Sequence, residues 1–60
     1  MKLIEKLTLD ANGVAELLQV SKPKAYEIIR QLNGELMAMN KLTVRGRVSK
    51  RYLISRMEID

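Results

Sequence analysis

Apolar residues recur with helical spacing in two stretches separated by a very short gap. Ala11, Val14, Ala15 and Leu18 stand at i, i+3, i+4 and i+7, one face of a helix. Asp10 precedes them as an N-cap. Leu9 and Val14 are spaced for a hydrophobic staple across that cap. Gly13 inside the stretch costs ~1 kcal/mol relative to Ala, so it marks either a close approach of another backbone or a tolerated position. Gln19-Val20 is the turn, with Val20 directed inward between the two helices. Ser21 caps the second helix, and Pro23 falls in its first turn, where a missing N–H costs nothing. Ala25, Ile28, Ile29, Leu32, Leu36 and Met39 keep helical spacing. They predict one long helix over about 22–39, slightly bent at Asn33-Gly34 or, alternatively, broken there into two. Asn40 suits the left-handed residue after its end, a role Gly usually fills.

The period then changes. Leu42, Val44 and Val48 flank a turn centred on Gly46, which reads as a short β-hairpin with Arg45 and Arg47 at its tip. Ser49 caps a final helix over about 50–58, whose apolar side holds Tyr52, Leu53, Ile54 and Met57. Leu7-Thr8-Leu9 alternates like an extended segment, and residues 1–9 form a lead-in covering part of the core. No repeat, linker or low-complexity segment divides the chain, so residues 1–60 are one domain. The expected fold is mainly α with a small β-hairpin, a winged helix-turn-helix: helix, tight turn, long second helix, β wing and closing helix.

Composition narrows the function. A chain of 60 residues buries only roughly 60% of its unfolded surface. It has neither Cys nor His, so no disulfide or zinc site is expected to staple it, and no metal or other cofactor is expected. His and Cys are also the commonest groups for acid–base and nucleophilic work near neutral pH, which argues against an enzyme and leaves no catalytic residue to name. No apolar run approaches the ~20 residues of a membrane span, and the start lacks a signal-peptide core. The expectation is a cytoplasmic protein without a membrane partner.

Charge is unevenly placed. The net charge is +4, yet residues 1–20 set Lys2 and Lys6 against Glu5, Asp10 and Glu16. Residues 41–56 carry Lys41, Arg45, Arg47, Lys50, Arg51 and Arg56 with no acid. Lys22 and Lys24 open the second helix, and Lys50 and Arg51 open the last one. Helix N-termini carry partial positive charge, so cations there are unfavourable unless an anion lies in front of them. A solvated basic surface is the bland reading. Two such helix starts and an arginine turn point instead to phosphate.

Individual residues divide between the two readings. Ser21 can donate to a phosphate while capping. Lys22 and Lys24 lie where a recognition helix reaches base edges and phosphates. Tyr26 either stacks on or bonds to the DNA backbone, or packs half-buried against the hairpin. Arg30 either reads guanine or pairs on the surface with Glu27 or Gln31. Glu27 either accepts from a cytosine amine or orients Arg30 or Lys24. Arg45-Gly46-Arg47 suits a minor groove, or is a turn kept soluble by two arginines. Ser49-Lys50-Arg51 suits a phosphate. Leu36, Met37, Met39 and Ile59 either finish the core or form an apolar edge for self-association or a partner protein.

Leu9, Val14-Ala15, Leu17-Leu18, Val20-Ser21, Tyr26 and Ile28-Ile29 together resemble the helix-turn-helix of excisionase-type and MerR-like winged-helix proteins of phages and integrative elements. Leu42 to Tyr52 looks like an excisionase wing followed by its closing helix. The resemblance covers residues 7–57. It departs in its long second helix, since the wing follows the recognition helix almost at once in the shortest members. It implies that Lys22, Lys24, Tyr26 and Arg30 face the major groove and that Arg45 and Arg47 make the wing contact. It also implies double-stranded DNA as ligand and a recombinase or integrase as partner, with weak self-association or cooperative binding on DNA. The same surface serves transcriptional repressors and activators. A module meeting an acidic protein, such as an anti-repressor or recombinase adaptor, is the alternative of a different class.

Overall fold

The computed structural model describes residues 6–57. In chain order the elements are strand β1 (Thr8–Asp10), helix α1 (Ala11–Leu18), helix α2 (Lys22–Ala38), strand β2 (Arg47–Ser49) and helix α3 (Lys50–Met57). The described residues are thus mainly helical, with one antiparallel two-stranded sheet.

Local chemistry sets the helix ends. The Asp10 carboxylate accepts the Gly13 N–H at 2.9 Å and caps α1. Ser21 Oγ accepts from Lys24 N–H at 3.3 Å and Ser49 Oγ from Tyr52 N–H at 3.2 Å, capping α2 and α3. Helix α1 ends where Gln19 turns left-handed, at φ 58° and ψ 47°, and Val20 N–H reaches back to the Ala15 carbonyl at 3.1 Å. Helix α2 runs through Gly34 without a break. It ends with Asn40 at φ 62°, as Asn40 N–H reaches the Met37 carbonyl and Lys41 N–H the Leu36 carbonyl. That pair of bonds is a Schellman closure with Asn in the usual glycine position. Gly13 is explained by a side chain rather than a backbone: a Cβ there would lie 2.8 Å from Leu9 Cδ2.

The core lies where the two halves of the chain meet. Ala11 and Val14 of α1, Ala25, Ile29 and Leu32 of α2, Val48 of β2 and Leu53 of α3 are buried together. Leu9, Leu18, Val20, Ile28 and Tyr52 pack around them.

The hairpin expected over Leu42–Val48 does not form. Residues 41–44 have no strand structure, and β2 pairs instead with β1 in the register Thr8↔Ser49, Leu9↔Val48, Asp10↔Arg47. Side-chain alternation explains the choice. A hairpin closed at Arg45-Gly46 would set Thr43 opposite Val48, and would put Leu42 and Val44 on the face of Ser49 and Arg47. Pairing with β1 sets Leu9 against Val48 on the core side, and every polar residue against a polar one on the other. Leu42 is left fully exposed.

A second long-range clamp was not expected. Arg56 of α3 grips Glu35 of α2 with both prongs, Nε to Oε1 at 3.0 Å and Nη2 to Oε2 at 3.1 Å. The Tyr52 hydroxyl donates to the same carboxylate. The Arg56 contact, then the Tyr52 hydroxyl, hold the Glu35 carboxyl below the usual carboxylate range. The bond to Glu35, and then burial, raise the Tyr52 hydroxyl above the usual tyrosine range.

Two tests follow from these ends and clamps. A left-handed non-glycine residue costs ~1–2 kcal/mol, partly offset by the greater unfolded-state freedom of Gly. Gln19→Gly should therefore raise stability to urea by up to about 1 kcal/mol. The Glu35 contribution is present above the usual carboxylate range and is lost as pH falls through its lowered folded value. Tyr52 acts in the opposite sense, its contribution being lost as pH rises through its raised folded value. Urea midpoints of wild type and Glu35→Gln should differ most near neutrality and converge in acid; a gap that widens in acid contradicts the clamp.

Candidate nucleic-acid interface

Helix α2 carries two neighbouring stripes. Ala25, Ile29, Leu32 and Leu36 are buried. Each is followed in sequence by a residue of the second stripe: Tyr26, Arg30, Asn33 and Met37. The second stripe forms one wall of an open cleft of about 660 Å³, with Thr43, Arg45 and Gly46 on the other side. Helical spacing of that second stripe was the available signal for the cleft, since residues one step beyond a buried face line its edge.

The far wall is a docked turn. Arg47 N–H bonds to the Val44 carbonyl at 3.1 Å, closing a β-turn over Arg45-Gly46. Gly46 has φ +77°, and a Cβ there would meet nothing within 4 Å, so conformation rather than space calls for glycine. Asn33 Nδ2 holds the turn to α2, donating to the Arg47 carbonyl at 2.8 Å and the Val44 carbonyl at 3.4 Å. Helical spacing places Asn33 only near a bend in α2; its role as a tether depends on carbonyls 11 and 14 residues away.

The residues expected to meet phosphate fall in three groups. Tyr26, Arg30, Arg45 and Gly46 come together at the cleft. Tyr26 is 53% exposed there, on the α2 wall that faces the Arg45-Gly46 turn. Ser21, Lys22 and Lys24 are exposed at the start of the same helix, whose first turn has no acid. Glu27 pairs with Lys24 at 3.7 Å, both largely exposed, rather than with Arg30, a contact worth little in water.

The third group lies apart. Arg47 is not at a turn tip. It is half-buried in β2 and its Nε donates to Thr8 Oγ1 at 2.7 Å, because the strand pairs with β1 and not with Leu42–Val44. Lys50 is half-buried and lines a different groove, between α1 and α3. Arg51 is exposed on α3. The basic run over 41–56 is therefore divided, with Arg56 engaged by Glu35 and Arg47 by Thr8. Of the apolar edge, Leu36 is buried, Met37 and Met39 are exposed, and Ile59 lies outside the described residues.

No described helix is long and apolar enough to cross a membrane. No family model, curated protein or solved structure matches the chain.

Removing the tether isolates its contribution. Asn33→Ala should cost about 1–2 kcal/mol, because two turn carbonyls lose a donor in a partly buried place. It should also speed hydrogen exchange at the Arg47 amide more than at the amides of α1. Unchanged protection at Arg47 would show that the turn holds without Asn33.

Proposed function

We propose that the protein binds double-stranded DNA with sequence preference, as an excisionase or phage-type regulator. In this reading the fold is a winged helix-turn-helix in which α2 enters the major groove and the Val44–Arg47 turn serves as the wing, carried on the β1–β2 sheet. The observation that carries it is the shared cleft. Arg30 from the helix and Arg45 from the turn line one concavity, and the exposed Lys22 and Lys24 lie on the same helix toward its start. Such spacing suits a phosphate strand running from the helix start across the cleft, with Tyr26 on a sugar or phosphate. The acid-free first turn supports it, since an anion in front would turn an unfavourable arrangement into a favourable one.

A single module buries ~600–1,000 Å² on DNA, so tight binding needs repeated sites, a dimer or a partner. The accessory role follows: the chain organises DNA in the cytoplasm while a recombinase supplies any strand chemistry. Repressor or activator action would use the same surface.

Fluorescence titration of duplex DNA from the element's attachment and promoter regions tests this. Lys22, Lys24, Arg30, Arg45 and Arg51 are the exposed cations assigned to phosphate. Log K should fall with log salt at a slope of about −4 to −5. Lys24→Ala should weaken binding and blur sequence choice, while Arg45→Ala should weaken all sequences evenly and reduce the slope by about 1. Absence of duplex binding, with a protein partner still retained by the Lys22→Ala/Lys24→Ala variant, would establish the interaction-module alternative instead.

A further inference from the structure

A second groove lies between α1 and α3 and shares no residue with the α2 cleft. Gly13, Glu16 and Leu17 form its α1 wall, Lys50 and Ile54 its α3 wall, and Leu9 completes it. Leu17 and Ile54 are 48% and 46% exposed, a large apolar pair facing solvent. The Leu9 side chain packs where a Cβ on Gly13 would stand. Glu16 and Lys50 carry opposite charges on opposite walls, yet neither has an ion-pair partner among the described residues.

We propose that a second copy of this chain docks in this groove about a two-fold axis. The charges select that occupant. A polyanion would meet Glu16 and apolar surface. A peptide of either single sign would meet one like charge. A two-fold rotation about an axis running along the groove exchanges its walls, so the α1 wall of one copy faces the α3 wall of the other. Glu16 then meets the partner's Lys50, Lys50 meets the partner's Glu16, and Leu17 packs on the partner's Ile54. Both ion pairs form at once and both apolar side chains are covered. The α2 cleft, sharing no residue with the groove, stays open in each copy. The proposal does not depend on DNA binding.

Sedimentation equilibrium of the full chain without DNA, from micromolar concentrations to about 1 mM, tests it. Wild type should show a reversible monomer–dimer equilibrium. Glu16→Lys alone and Lys50→Glu alone should each weaken the dimer about tenfold or more, since each sets like charges face to face. The two reversals combined should restore it to within about threefold of wild type. The chain has no cysteine, so cross-linking gives an independent reading. A Leu17→Cys chain mixed with an Ile54→Cys chain should oxidise to a mixed disulfide faster than either chain pairs with itself. Monomer at every concentration, single reversals without effect, a double reversal as weak as the singles, or no excess of the mixed disulfide would each overturn the proposal.

Discussion

Two three-residue strands join the segment before α1 to the segment before α3, and at their centre Leu9 faces Val48. Val48 is among the most completely buried side chains, and Leu9 packs on the same core. With no cysteine to form a disulfide, this apolar pair fastens residues 47–57 to the helices before them. Three things hang from it. Strand β2 runs directly into α3, so the pairing aims that helix and brings Leu53 into the core. It brings the Arg47 carbonyl to Asn33, which docks the turn carrying Arg45. It also brings α3 beside α1, which creates the groove holding Glu16 and Lys50.

Much of the helical skeleton was legible because it is written locally. Asp10, Ser21 and Ser49 cap within three residues of themselves, and Asn40 closes α2 by bonds that span a single turn. The strand partner was not legible from Gly46 and its β-branched neighbours, because those signals describe only a turn. The decisive fact, that Leu9 faces Val48 where a hairpin would have set Thr43, needed the register of a competing strand far away in sequence. The same distance hid the Glu35 clamp. Tyr52 and Arg56 share a face of α3 at i and i+4, but nothing local says which acid they meet. Of the candidate site, the α2 residues were legible from periodicity. Their junction with Arg45 was not, since it depends on Asn33.

The basic character of the chain is less uniform than its count of cations suggests. Arg56 is gripped by a carboxylate and Arg47 by a hydroxyl, so both are held in place by the fold. Lys22, Lys24, Arg30, Arg45 and Arg51 remain exposed. Folding thus sorts like charges into structural and available sets. Surface screening acts mainly on the second set.

The turn over Arg45-Gly46 is fastened to α2 through Asn33 rather than through the chain leading into it. Between the end of α2 and that turn, Lys41 closes the helix and Thr43 lines the cleft, while Leu42 only covers distance, wholly in solvent. Loop closure grows slowly more costly with length, so added residues there carry a small thermodynamic penalty. The length of this connection is therefore free to drift over evolutionary time while the spacing of Arg30 and Arg45 is kept. Leu42 offers a place to graft a probe or an extra segment outside both walls of the cleft.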